Sequence, residues 1–410
     1  MGKFPEGFIW GAATAGHQVE GDNVNSDTWF AEHVTPTIFK EPSGKACNSY
    51  VLWREDIDLA KGLNFNSYRF SIEWARIQPA EGEWSEKELA HYEGMIDYCI
   101  ELGLEPVVTL NHFTSPHWFA KLGAWTNPRS AELFANYATK LMQRFGHKLK
   151  HVVTLNEPNL PPLLSWMNMP DIVYEITRAT LDACSRDAGV ERYRTGNVVP
   201  RLEFDDICDG LELAHIAARA AVKAAAPNVK VGLSIALFDD RVAGDDPSLR
   251  DRKREETYGR WLRVAETDDF IGVQNYEVAY YDKDGVLPPP EGAELNGMGT
   301  QIDPTSLEGA VRYVYSQVGI PIFITEHGIS TEDDTQRVRF IPPSLEGLQR
   351  AMNDGVEVIG YTHWSLLDNF EWIFGYGPKF GIHSVNHETF ERTAKPSAAV
   401  LAEIAKNNAV

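Results

Sequence analysis

A closed (β/α)₈ barrel, the TIM-barrel form of α/β architecture, is the fold this 410-residue sequence predicts. Three observations predict it. Short apolar, β-branched runs recur eight times along the chain. Stretches with apolar residues at helical spacing separate them, and almost every run ends on a polar or aromatic residue. The apolar density suits parallel strands covered on the outside by helices. Length alone suggests two or three domains, but barrels of this kind stay single at such lengths, so one domain is expected over 1–410.

The runs are taken in chain order. FIWGAA at 8–13 leads to Gln18 and Glu20, and SYRFSI at 67–72 carries Arg69. PVVTLNH at 106–112 ends on His112, and HVVTLNE at 151–157 ends on Asn156 and Glu157. KVGLSIAL at 230–237 is apolar throughout; FIGVQNYE at 270–277 carries Gln274 and Tyr276. PIFITEH at 321–327 delivers Glu326, and VIGYTHWSL at 358–366 delivers Trp364. Helices are expected between them over 50–64, 85–103, 127–146 and 207–227. Ser85 and Glu88 are spaced as a capping box at the start of the second of these. Active sites of such barrels open at the carboxyl ends of the strands, so these terminal groups converge on one mouth. The long loop at about 158–200 follows the fourth strand and is expected to overhang it.

Composition narrows the classes of partner. The formal net charge is −21, which disfavours nucleic acid and anionic membrane surfaces. No apolar run approaches the ~18 residues of a membrane span, and the opening MGKFPEGFIWGAATAG reads as neither signal nor transit peptide. Cys47, Cys99, Cys184 and Cys208 are far apart, the pattern of reduced cysteines in a cytoplasmic protein. His112, His327 and His363 lack metal-ligand spacing, and no glycine-rich phosphate loop is present, so neither a metal nor any other cofactor is expected.

Glu157 and Glu326 carry the chemistry. The fourth and seventh strands share one plan, a β-branched run that stops on a glutamate, and strands three apart in a ring of eight face each other across the mouth. Two such carboxylates can cleave a glycosidic bond, one protonated and donating to the leaving oxygen, the other ionised and attacking the sugar carbon. Their surroundings must separate their pKa values. Arg69 is a permanent cation that can hold one carboxylate ionised, and Tyr276 can donate a hydrogen bond to it. Glu157, between Asn156 and Pro158 with no cation nearby in sequence, suits the acid.

These stretches resemble glycoside hydrolase family 1, the retaining β-glucosidases and their relatives, over nearly the whole chain. FIWGAATAGHQVEG resembles the family's opening, YRFSIEWARIQP its second strand, TLNEP its acid/base motif, ITEHG its nucleophile motif and WSLLDNFEW its sugar-recognition motif. The resemblance implies that Glu157 is the general acid/base and Glu326 the nucleophile. It implies that Gln18, His112, Asn156, Glu371 and Trp372 bind sugar hydroxyls, that Trp364 floors the sugar ring, and that Arg69 and Tyr276 tune the nucleophile. The chain departs from the family's usual pattern at His17, Phe113, Gln274 and His327. None of these touches the two carboxylates; they bear on sugar preference.

Glu371 can accept from two vicinal hydroxyls, Trp372 offers an indole N–H, and Gln18 brings a donor and an acceptor. A carboxylate there repels phosphate, so the expected substrate is a small, uncharged β-glycoside. Leu160, Leu163, Leu164, Trp166, Met167, Met169 and Ile172 make the loop after the fourth strand apolar, which suits a hydrophobic or aryl aglycone. The expected activity is a retaining β-glucosidase with some tolerance for galactosides or fucosides. Its rivals are a transglycosylase using the same covalent intermediate and a non-catalytic sugar-binding protein of the same fold.

Overall fold

The computed structural model describes residues 2–167 and 169–410. Eight parallel strands form a closed ring: Ile9–Ala13, Ser67–Ser71, Glu105–Asn111, His151–Asn156, Lys230–Val242, Ile271–Tyr281, Ile322–His327 and Val358–Trp364. The first pairs with the second (Gly11↔Ser67) and with the eighth (Ile9↔Gly360), and the fifth pairs with the sixth (Ser234↔Gly272), which closes the barrel. Closure leaves the ring without an edge, and the (β/α)₈ expectation holds.

Two apolar layers build this. The outer faces of the strands pack under the helices, with Tyr68, Phe70, Val108, Val152 and Ile235 in one continuous cluster with helical residues such as Ile57, Tyr92, Tyr137 and Leu345. Ile9, Val107, Val153, Phe270 and Phe323 form a separate cluster. They stand at or near the strand starts, so they plug the amino end of the ring. The opposite end is left to polar groups.

The fifth and sixth strands run past their expected ends. After a bulge, Asp239–Val242 pairs with Val278–Tyr281, and Val286–Leu287 adds an antiparallel rung. The charges in FDDRVAG read as loop. They are tolerated in a strand because Lys253 pairs with Asp240 at 2.8 Å and Arg241 pairs with Asp239 and Asp303 at 2.6 and 2.9 Å. The capping box at Ser85 is half made. Ser85 Oγ accepts from the Glu88 backbone N–H at 3.3 Å, but the Ser85 N–H donates to Ile77 O and the Glu88 carboxylate accepts from Tyr50.

The segment after the fourth strand contains helices Leu160–Trp166 and Asp171–Ala188. Its far end lies on the mouth loops, with the Gly196 N–H donating to Asp27 and the Tyr193 hydroxyl meeting His117 Nδ1 at 2.8 Å. Among the described residues, no helix is long and apolar enough to cross a membrane.

Candidate active site

The fourth and seventh strands deliver their glutamates differently. Glu326 is the fifth residue of a strand that is buried throughout, and its carboxylate lies inside the barrel mouth. Glu157 comes one residue after its strand, in the left-handed region at φ 47°. Such backbone costs a non-glycine residue free energy unless its surroundings hold it. Here the Glu157 N–H donates to Ser234 O at 2.7 Å and its carbonyl accepts from Leu160 N at 3.0 Å. Behind Glu326, a Cβ on Gly328 would lie 2.2 Å from Trp364 O, which explains the glycine in EHG.

Arg69 spans the mouth. Nη1 donates to Glu326 Oε1 at 2.6 Å and to Thr325 O at 3.0 Å, Nη2 to Asn156 Oδ1 at 2.7 Å, and Nε to Thr109 Oγ1 at 3.1 Å. The Tyr276 hydroxyl donates to Glu326 Oε2 at 2.5 Å. Both oxygens of Glu326 therefore accept a hydrogen bond, and one partner is a cation. Burial pushes the Glu326 carboxyl up; Arg69 and Tyr276 pull it back. Burial, with the charge of Glu326 beside it, pushes Glu157 to about 8, and only the longer-range field of Arg69 opposes this. Burial raises both carboxyls, but only Glu326 has hydrogen bonds that oppose the rise. Glu157 holds its proton, and the bonds around Glu326 favour its anion.

The other expected groups gather on one side. Gln18 Nε2 donates to Asn369 Oδ1 and Phe370 O at 3.1 and 2.9 Å, which pins its amide. Trp372 is near-parallel to two imidazoles, His17 at 5.7 Å and His112 at 6.2 Å, and His112 also stacks on Trp364 at 5.6 Å. Burial, and secondarily Arg69, holds His112 well below its ordinary pKa, so it presents a neutral ring. Trp364 packs against Ala13 and Ala15 beside Tyr276 and Phe380. Burial, then the charge of Glu326, pushes the Glu371 carboxyl well above the usual range. Gln18 Oε1, His112 Nδ1, Asn156 Nδ2 and Glu371 Oε1 are all buried and find no hydrogen-bond partner among the described residues. Satisfied interiors leave few such groups, so four at the ends of the barrel strands and the loops after them mark a place that binds hydroxyls.

Other expectations are corrected or refined. Glu20 is not at the mouth; it is drawn away to Arg76 and Tyr92 at 2.7 and 2.8 Å. Ile172 is 64% exposed, whereas Leu163 is buried and Leu164 packs on the main core, so only part of the apolar loop is free to meet a ligand. His327 and His363 both face the Tyr361 hydroxyl, at 2.9 and 3.1 Å. Among the described residues, no three His, Cys, Asp or Glu side chains are grouped as a metal site.

Sequence reasoning missed several supports. Thr109 holds Arg69, Asn369 holds Gln18, and Glu32 meets His17 Nε2 at 2.8 Å. Gln274 Nε2 bonds Asn156 Oδ1 at 2.7 Å and so helps fix which face of that amide remains open. Thr109, a polar residue within the buried run Val107–Leu110 of the third strand, was the one legible signal; the other contacts join distant segments.

The family model described as Glycosyl hydrolase family 1 matches residues 1–179 and 262–410. Beta-glucosidase A of Acetivibrio thermocellus is 31% identical over 99% of this chain and 98% of its own length. Beta-glucosidase A of Thermotoga maritima is 29% identical over 99% of this chain and 98% of its own length. Among solved structures, the apo form of a β-glucosidase numbered 1317 superposes with a TM-score of 0.94 at 42% identity, covering 98% of this chain and 99% of that one. The β-glycosidase BGL167 superposes with a TM-score of 0.92 at 43% identity, covering 99% and 98%.

Proposed function

The chain belongs to glycosyl hydrolase family 1 and is a glycoside hydrolase, and from that premise we propose how its residues act as a retaining β-glucosidase. Glu326 is the nucleophile and Glu157 the general acid/base. The observation that carries this reading is the inequality of the two carboxyls: Glu326 accepts from Arg69 and Tyr276, while Glu157 is pushed to about 8.

A terminal glucosyl residue enters with its hydroxyls toward Gln18, His112, Asn156, Glu371 and Trp372 and its apolar face on Trp364. Glu157 donates its proton to the glycosidic oxygen as Glu326 attacks the anomeric carbon, and the aglycone leaves. Glu157, now a carboxylate, takes a proton from water, which displaces Glu326 and releases β-glucose. Arg69 and Tyr276 favour the Glu326 anion and aim it before attack, one on each oxygen; in the ester, the partner of the oxygen that does not bond the sugar keeps its bond to the carbonyl. Two displacements retain configuration.

We read residues 1–410 as one catalytic domain, since the closed ring draws strands from Ile9 to Trp364. We read the substrate as a β-glucoside with an apolar or aryl aglycone. The four cysteines are buried and unpaired, which supports a reducing, cytoplasmic setting. Incubation with 4-nitrophenyl β-glucoside, followed by NMR of the first-formed anomer, tests the reading. Rapid release of β-glucose supports it; no release, or first-formed α-glucose, overturns it.

A further inference from the structure

Trp372 stands on strained backbone. Its φ is 53°, a left-handed conformation that costs a non-glycine residue free energy. The turn around it is closed by backbone bonds, the Glu371 N–H to Gly375 O at 2.8 Å and the Gly375 N–H to Trp372 O at 3.0 Å. These bonds fix its Cα. They do not choose the rotamer of the side chain, so the direction of the indole N–H is left to whatever packs on the ring.

Three rings do so. His17 lies near-parallel to the indole, with centroids 5.7 Å apart and planes 7° apart. Phe113 meets it edge-on at 5.2 Å and 90°. His112, at 6.2 Å and 13°, is itself one of the sugar-facing groups. His17 and Phe113 are not, and both are positions at which the chain departs from the family's usual pattern. Two of the four departures thus meet on one indole.

Both rings are braced from behind. His17 Nε2 meets Glu32 Oε1 at 2.8 Å, Nδ1 meets Asn23 Nδ2 at 3.3 Å, and the His17 backbone N–H donates to Glu73 Oε1 at 3.1 Å. Glu32 Oε2 accepts from the Ser43 N–H and hydroxyl at 2.9 and 2.7 Å. Phe113 is backed by the segment after the fourth strand: a Cβ on Gly196 would lie 1.8 Å from Phe113 O, so only glycine permits the approach. Asp27 ties that contact down, accepting from the N–H groups of Ser115 and Gly196 at 2.9 and 3.0 Å. Asp27 and Glu32 are the first and last residues of one helix, Asp27–Glu32, and both are buried. Apolar side chains would fill this space without the desolvation that two buried carboxyls carry, so the arrangement serves orientation more than stability.

Resting on the β-glucosidase reading above, we infer that His17 and Phe113 are positioning residues for Trp372: one stacks on the indole, the other stops its edge, and together they aim its N–H at the sugar. Neither ring touches the reacting atoms. Their effect reaches the substrate only through Trp372, and the helix Asp27–Glu32 is the frame that holds them.

A double-mutant cycle tests this. His17→Gln keeps a polar group for Glu32 and removes the flat ring; Phe113→Leu keeps apolar bulk and removes the ring edge. Each is made in the wild type and in Trp372→Phe, which keeps a ring but has no N–H to aim. Two quantities are read: calorimetric binding of 1-deoxynojirimycin, an amine with the hydroxyl pattern of glucose, and kcat and KM for 4-nitrophenyl β-glucoside. In the wild-type background each substitution should weaken binding and lower kcat/KM about three- to tenfold, the worth of one aromatic contact. In Trp372→Phe the same substitutions should change either quantity less than about twofold, since coupled residues are not additive. Phe113→Leu keeps the test decisive if His17→Gln does not fold. Equal losses in both backgrounds, or no loss in the wild type, overturn the inference and leave the β-glucosidase reading intact. Binding that follows the cycle without turnover of the glucoside sinks that reading and leaves the two rings as positioning residues of a sugar-binding protein. A wild type that neither binds the amine nor turns over the glucoside overturns both.

Discussion

The ends of the fourth and seventh strands are alike in sequence and unlike in space. Both are β-branched runs closing on a glutamate. At the seventh, Arg69 and Tyr276 bond both carboxylate oxygens within 2.6 Å. At the fourth, the guanidinium's other arm goes to the neighbouring Asn156 rather than to Glu157. One cation, placed by the second strand, thus separates two carboxyls that a sequence motif alone makes equivalent. The difference teaches that pKa assignment is a property of what crosses the barrel, not of the strand that carries the acid.

That comparison can be broken at either end. The largest effect is expected at Glu326. Glu326→Gln keeps the shape and removes the attacking charge, so activity on aryl β-glucosides should fall by about four orders of magnitude or more. A variant retaining a tenth of the wild-type rate would strip Glu326 of its role. Next comes Glu157→Ala, which should cost about 100- to 1000-fold on alkyl glucosides and far less on dinitrophenyl glucoside, whose departure needs no proton. Azide, which needs no general base, should restore turnover of that variant and give the β-glucosyl azide. Equal damage to good and poor leaving groups, or an α-azide, would remove Glu157 from the acid/base position.

A third buried carboxylate checks that the contrast belongs to these two strand ends. Glu371→Ala should lower kcat/KM about 100-fold with little change in Tm, because its open oxygen serves substrate hydroxyls. A loss of Tm with unchanged kinetics would make it a structural residue.

pH sharpens the comparison without mutation. Glu157 must be protonated to donate, so kcat/KM on poor leaving groups should fall as pH rises through about 8. Glu326 must be ionised to attack, so the acid limb belongs to it. With dinitrophenyl glucoside, whose departure needs no proton, the basic limb should be absent or weak in the wild type; a limb as strong as on poor leaving groups comes from another group.

The smallest effect is on stability. Burial lifts Glu157 from its ordinary 4.5 to about 8, so the folded state holds a proton that the unfolded state has lost, and stability falls as pH rises through that window. Glu157→Gln removes the penalty. Its Tm should exceed that of the wild type by about 1–4 °C at pH 9 and match it at pH 4. An equal Tm at both values would mean that the buried charge is relieved in some other way.

The sequence by itself determined the ring of strands, because the strands are largely buried and announce themselves as β-branched, apolar runs, and because helical spacing between runs leaves few ways to cover them. It also marked Glu157, Glu326 and Trp364 at or near strand ends, since a polar or aromatic residue closing an apolar run stands out locally; Arg69 lies in the middle of its strand and reaches the mouth through its long side chain. It did not show that the fifth strand continues into FDDRVAG, because the charges there are paired with Lys253, in the following helix, and with Asp303, further along the chain. It placed Glu20 at the mouth, where proximity in sequence misled; Arg76 and Tyr92 draw it elsewhere. The stacking of Trp372 with His17 and His112 and the locking of Gln18 by Asn369 were decided only by tertiary structure. Each is a contact between segments remote in sequence, and local patterning carries no record of which remote partners closure of the barrel brings together.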